Sequence, residues 1–217
     1  MAKYYWYIST AKLDQLNQDL RTDWLHDISL KLKFKSPFFE AEATNKEVKN
    51  RVLDVEKLEN HLLNNSEVVD FENIFDATNL KFFSFTGHAA RMITDDGYWI
   101  SVVCAESAIL LGGSPQNAIG MESATKEKFS PSINPIEASM RDFKSDDQNS
   151  PVSKQISYAF QEIMRKSGAG EGVILPKIEG ICIYAGIIKA NKSQMRRAGY
   201  PNVKSIFIAT PIFIRQV

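Results

Sequence analysis

Residues 80–113 hold three apolar runs separated by two short turn signals, and that spacing leaves few folds open. "LKFFSFTGHAARMI" (80–93) runs into Asp95-Asp96-Gly97, and "YWISVVCA" (98–105) comes next. Glu106-Ser107 then leads into "AILLGG" (108–113). Asp-Gly between two β-rich runs is a hairpin signal, so a meander of three antiparallel strands is expected here.

The flanking chain supplies helices and more strands. "KYYWYIS" (3–9) has the aromatic and β-branched content of a strand. Leu13, Leu16, Leu20 and Trp24 then recur at helical spacing behind a Ser9 or Thr10 cap. "ISLKLKF" (28–34) alternates, with Lys31, Lys33 and Lys35 on one face. Glu40 and Glu42 stand close by, so this is either a self-compensating hairpin or a polyanion surface. Thr44-x-x-Glu47 opens a helix as a capping box, and Val48, Val52, Val55, Leu58 and Leu62 form its apolar stripe. Residues 121–150 read as a mobile surface loop with a short helix near 136–143. Ser150-Pro151 caps a further helix with the stripe Val152, Ile156, Phe160 and Ile163, and Gly168 ends it. Two final strands (178–190 and 204–214) enclose a basic connection with Lys189, Lys192, Arg196 and Arg197. The fold class expected is α+β in one domain, 1–217. It has a mainly antiparallel sheet of about seven or eight strands, with three main helices packed on one side of it.

Composition narrows the function classes. The 217 residues carry 26 basic and 26 acidic side chains, which leaves no global field for nucleic acid or an anionic membrane. Cys104 and Cys182 sit in apolar runs, as core thiols of a cytoplasmic protein do. There is no Cys/His cluster with zinc-ligand spacing and no dinucleotide fingerprint, so neither a metal nor a cofactor is expected. The opening residues lack the pattern of a signal peptide, and no apolar run is long enough to span a bilayer.

Three constellations could carry chemistry. In "ILLGGSPQNAIG" (109–120), Gly112 and Gly113 let backbone approach a ligand. Ser114-Pro115 looks like the start of a short helix whose N–H groups attract anions, with Asn117 nearby. The same residues also make a good tight corner without any ligand. In "FTGHAAR" (85–91), His88 is the acid–base candidate and Gly87 a site for a bulge. His88 and Arg91 are three apart and so point to opposite faces of a strand. A half-exposed, hydrogen-bonded His without a catalytic role fits His88 better. Arg196 and Arg197 resemble an anion clamp. Cys104 lies within an apolar strand and reads as an inert thiol.

The Tyr-rich strand running into Ser9-x-x-Lys12, the Leu111-x-Gly113-Ser114 turn and the closing Thr210-Pro211 strand resemble an uncharacterised bacterial domain family. That resemblance implies a bacterial cytosolic module of unknown function, found beside defence or signalling genes, and it transfers no catalytic residue. The function expected is a sensor module for a small anionic, nucleotide-like ligand. Gly112, Gly113, Ser114 and Asn117 would contact it, Arg196 and Arg197 would neutralise it, and Tyr5 would stack on its base. Two alternatives are a hydrolase or transferase using His88, and a protein-interaction subunit of a defence system. Either a protein partner or self-association is compatible with the chain.

Overall fold

The structure, a computed structural model, describes residues 4–16, 45–64, 68–76, 81–94, 97–119, 143–169 and 173–217. The second half of the first helix, the lysine-striped hairpin, Thr44, the short helix near 136–143 and most of the 121–150 loop lie outside the described residues. The strands are β1 (Tyr4–Ile8), β2 (Val68–Asp70), β3 (Phe82–Thr94), β4 (Gly97–Cys104), β5 (Ser107–Gly113), β6 (Phe143–Ser145), β7 (Lys177–Lys189) and β8 (Ser205–Gln216). The helices are α1 (10–16), α2 (Asn45–Asn64), α3 (Pro151–Lys166) and α4 (Lys192–Arg197). Among the described residues no helix is long and apolar enough to cross a membrane.

The meander forms as its turn signals require: β3 pairs antiparallel with β4, and β4 with β5. From there the sheet departs from the expected plan. It is mixed, because β8 lies parallel to β5, β2 parallel to β3 and β6 parallel to β7. It also closes on itself: β8 pairs with β7, and β7 pairs back onto β3. The reason is legible in β5 and β8 themselves. Both are nearly continuous apolar runs, buried along almost their whole length, and such strands need a neighbour on each edge and cover on each face. A hairpin partner alone cannot supply that. Around the ring the strands run β3, β4, β5, β8, β7. Counted in chain order this is first, second, third, fifth, fourth, with third and fifth parallel and α3 between third and fourth. OB-type barrels share that connectivity, and connectivity by itself carries no activity.

Register fixes which side chains enter the barrel. Ala89 faces Val102, Val102 faces Ile109, Ile109 faces Phe207, and Phe83 faces Cys182. These residues share one buried cluster with Phe71 and Ile74 of the 3₁₀ turn Phe71–Asp76. Alternate residues point outward, and closure leaves the helices only that surface. They therefore cover two sides of the barrel, not one side of an open sheet. Val55, Leu58 and Leu62 of α2 cover Phe82, Ile181 and Phe213. Ile156, Phe160 and Ile163 of α3 cover Ala90, Leu110 and Ile208. Burying each large apolar side chain contributes about 1.5–3 kcal/mol. The α3 cap is as expected: the Ser153 N–H donates to Ser150 Oγ at 3.1 Å, Pro151 holds the first turn, and Gly168 leaves the helix at φ +72°. Strand β1 pairs with the far half of β8, beyond the point where β5 stops.

Gly87 marks no bulge; β3 runs in unbroken register past it. A Cβ there would come within 2.6 Å of Val102 Cγ1 and 2.7 Å of the Val103 carbonyl oxygen. Close strand approach explains the glycine. Pro211 sits where β8 shifts register against β7, a position that needs no ladder N–H.

Candidate functional site

The Gly-Gly-Ser-Pro stretch ends β5 at one mouth of the barrel. Beyond it the chain makes a single 3₁₀ turn, Pro115–Asn117, too short to offer the dipole of a helix N-terminus. Tyr7 of β1 fills the corner. A Cβ on Gly113 would sit 2.6 Å from Tyr7 Oη, so glycine is required for this contact. The Ser114 N–H and Asn117 Nδ2 both donate to Tyr7 Oη at 3.3 Å, and Ser114 makes no side-chain cap. Gly112 pairs with Trp99 in the ladder. The chain then runs back along β1, where the Ile119 N–H donates to the Trp6 carbonyl at 2.8 Å. Two donors that the sequence offers to a ligand are thus turned onto a tyrosine.

The other sequence-motivated residues do not converge on this corner. Tyr5 is 4 % exposed, edge-on to Phe213 on the α2 side of the sheet, and shows no ring face to solvent. Arg196 and Arg197 are exposed in the last turn of α4. That helix precedes Ser205, which pairs with Ser107 at the opposite end of β5 from Gly113. His88 is exposed on the outer face, with Nδ1 3.0 Å from the Leu175 carbonyl oxygen. Burial pushes the Cys104 thiol up to about 12, and its Sγ donates to the Thr86 carbonyl at 3.5 Å, so it is a poor nucleophile. Cys182 is fully buried, and burial raises it further. Among the described residues no group of His, Cys, Asp and Glu is placed to hold a metal ion.

A cation does stand at the mouth, and it is Arg91. Its strand position pairs with Ile100 on the inner face, and its guanidinium lies over the Trp6 ring, 4.4 Å from the centroid. Its Nη1 is buried and has no hydrogen-bond partner. Diagonally across is Tyr98, whose ring stacks on Tyr7 at 5.7 Å with an interplanar angle of 2°. Tyr98 is 1 % exposed, and its hydroxyl has no hydrogen-bond partner beyond the adjacent Arg91. Burial raises the Tyr98 pKa, and Arg91 pulls against that rise. Trp6, Tyr7, Arg91, Tyr98, Ser114 and Asn117 therefore form one group around a charge with no carboxylate partner among the described residues. The sequence signal for Arg91 is parity: Phe83, Phe85, Gly87 and Ala89 mark the inner face, and Arg91 is the next member of that series.

On the α2 side of the barrel a cleft of about 550 Å³ runs between α2, the 3₁₀ turn Phe71–Asp76 and the β4–β5 turn. Arg215 lies in it, and this guanidinium is fully engaged. It donates to both Glu59 oxygens at 2.6 and 2.8 Å and to Glu179 at 2.5 Å. Burial works to lower the Arg215 pKa, but the bonds to Glu59 and Glu179 outweigh it and raise it.

The three sequence motifs of the N-terminal strand, the corner and the last strand meet physically. Tyr7 closes on Gly113, the Ser9 N–H donates to the Ile212 carbonyl at 2.8 Å, and Lys12 Nζ bonds Thr210 Oγ1 and the Pro211 carbonyl. They form the latch that docks β1 and α1 onto the barrel. No curated protein matches the chain significantly, and neither does any solved structure. One family model, described as a family of unknown function (DUF7019), matches residues 3–217. A match of that extent, across the latch motifs and the whole barrel, makes the chain a member of the DUF7019 family.

Proposed function

We propose that the chain is a binding module that takes a small anionic ligand at the β1 mouth of the barrel, with Arg91 as the cation that receives it. The observation that carries this is the half-buried Arg91 guanidinium on Trp6, beside the buried Tyr98 hydroxyl and with no carboxylate facing it among the described residues. A charge held out of water without a partner costs stability, and an anion accepting from Nη1 and the tyrosine would recover that cost. Trp6, Tyr7 and Tyr98 are all buried, so they orient Arg91 and do not stack on a base. The ligand class is therefore the anion, and nucleotides are one kind of carrier for it. A setting in bacterial signalling or defence rests on the resemblance of the sequence motifs alone. Two points favour binding over turnover: the inert thiols, and the placement of His88 on the face away from Arg91. The β4–β5 outer face, where OB-type barrels bind oligonucleotides, is covered by α3 through Leu110 and Val103, which speaks against nucleic acid.

The test is a thermal-melt panel with phosphate, mono- and dinucleotides and cyclic nucleotides. At about a hundred times its dissociation constant a ligand adds roughly 2.7 kcal/mol, a shift of a few degrees. The shift is expected in the wild type and in Arg196→Gln/Arg197→Gln, and lost in Arg91→Gln. A shift that survives Arg91→Gln would overturn the proposal.

A further inference from the structure

We infer that the cleft at the β4–β5 end is a docking groove for a basic, apolar peptide segment of a partner protein. This surface is independent of the anion site. The groove floor is apolar, formed by Phe71, Phe85, Ile181 and Phe213, and two large side chains stand open at its edge. Phe75 is 64 % exposed and Leu63 is 51 % exposed. Both hold that exposure beside a floor that would bury them against a partner. Phe75 is positioned and not loose, since its ring meets Phe207 edge-on at 5.2 Å.

Charge selects the occupant. Among the described residues the groove is lined by Glu59, Asp70, Glu72, Glu106 and Glu179 against one cation, Arg215. Glu59 and Glu179 spend their charge on Arg215, and Glu106 pairs with the exposed Lys204. Asp70 accepts from the Glu72 N–H at 3.0 Å. Neither Asp70 nor Glu72 has a basic partner among the described residues. The rim thus carries uncompensated negative charge over an aromatic floor, which complements lysine or arginine alternating with large apolar side chains. An anionic ligand would be repelled here, so this surface and the Arg91 mouth select opposite partners.

The probe is a short fluorescein-labelled peptide alternating leucine and lysine, with its leucine–glutamate counterpart, titrated against the full chain by anisotropy. The leucine–lysine peptide is expected to bind and to weaken as salt rises. Glu72→Lys is expected to weaken it by about tenfold, a typical scale for reversing one complementary charge. Glu162→Lys, the same charge change on α3 at the glutamate paired with Arg165, is expected to leave it within about twofold. Phe75→Ser, at an exposed position that leaves the fold intact, is expected to weaken binding without changing its salt slope. Equal binding of the glutamate peptide, equal effects of Glu72→Lys and Glu162→Lys, or no binding at all would each overturn the inference.

Discussion

Arg215 packs on the α2 side of the sheet and Arg91 on its inner side, and the two look alike until their partners are counted. Each guanidinium stands over an aromatic ring, Phe213 at 5.3 Å for Arg215 and Trp6 at 4.4 Å for Arg91. Arg215 is closed by two carboxylates and ties α2 to β7 and β8. Arg91 lies against Trp6 and Tyr98, with no carboxylate partner among the described residues and a buried Nη1 without a hydrogen-bond partner. The first arrangement is how a charge is built into a fold; the second is how a charge is kept available. Tyr98 and Cys104 lie near the two ends of β4, so roughly 20 Å of strand separates the Arg91 mouth from the β4–β5 end of the groove. One barrel can therefore present a cationic mouth and an acid-rimmed groove without their fields cancelling at physiological salt.

The contrast breaks most visibly in stability. Arg215→Met strands Glu59 and Glu179 without their cation, and removing one partner of a buried ion pair costs about 3–5 kcal/mol. Arg91→Met strands no carboxylate among the described residues, so its cost is expected within about 1 kcal/mol, or in the stabilising direction. Urea unfolding of the two variants side by side checks this; equal losses would mean that Arg91 has a structural partner.

The next effect belongs to the corner. Gly113→Ala forces a methyl into Tyr7, and overpacking of this kind costs about 1–3 kcal/mol. Tyr7→Phe leaves the Ser114 N–H and Asn117 Nδ2 without their acceptor, for about 1–2 kcal/mol. Both are read from denaturant midpoints. If the corner were a ligand cradle and not a latch, Tyr7→Phe would instead leave stability untouched and alter binding.

Cys104 gives a smaller, pH-dependent signature. Its folded pKa of about 12 lies above the ordinary thiol value of 9.0, so the folded chain holds the thiol proton more tightly than the unfolded chain. The stability linked to it is complete below about pH 9 and is lost as pH rises towards 12. Thiol alkylation near pH 8 should accordingly be slow in the native protein and fast in denaturant. The smallest effect is on exposed α4: Arg196→Gln/Arg197→Gln should change stability by no more than about 0.5 kcal/mol.

These contrasts separate what local sequence carries from what it does not. The meander, the α3 cap at Ser150 and the Val55, Leu58, Leu62 stripe of α2 depend on neighbours in the chain, and they form as the sequence predicts. Barrel closure depends on β8 meeting β5 after more than one intervening element, so no turn signal announces it. The doubly buried run "SIFIATPIFI" is its one trace. Gly112, Gly113, Ser114 and Asn117 point to a ligand because glycine next to hydroxyl and amide groups suits an anion. The residue they serve, Tyr7, is over a hundred positions away. Arg91 escapes a motif-based reading because a lone arginine has no motif, and only its parity with Phe83 and Phe85 gives it meaning.

The most direct measurement is a ¹⁵N–¹H titration of the tryptophan indole groups with phosphate and a nucleotide. The chain has three tryptophans, Trp6, Trp24 and Trp99, and Trp6 is the one that lies under Arg91. A ligand site at Arg91 predicts a saturable shift of the Trp6 indole signal that disappears in Arg91→Gln and persists in Arg196→Gln/Arg197→Gln. A Trp6 signal that stays still while the anions bind, or that moves equally in Arg91→Gln, would contradict it.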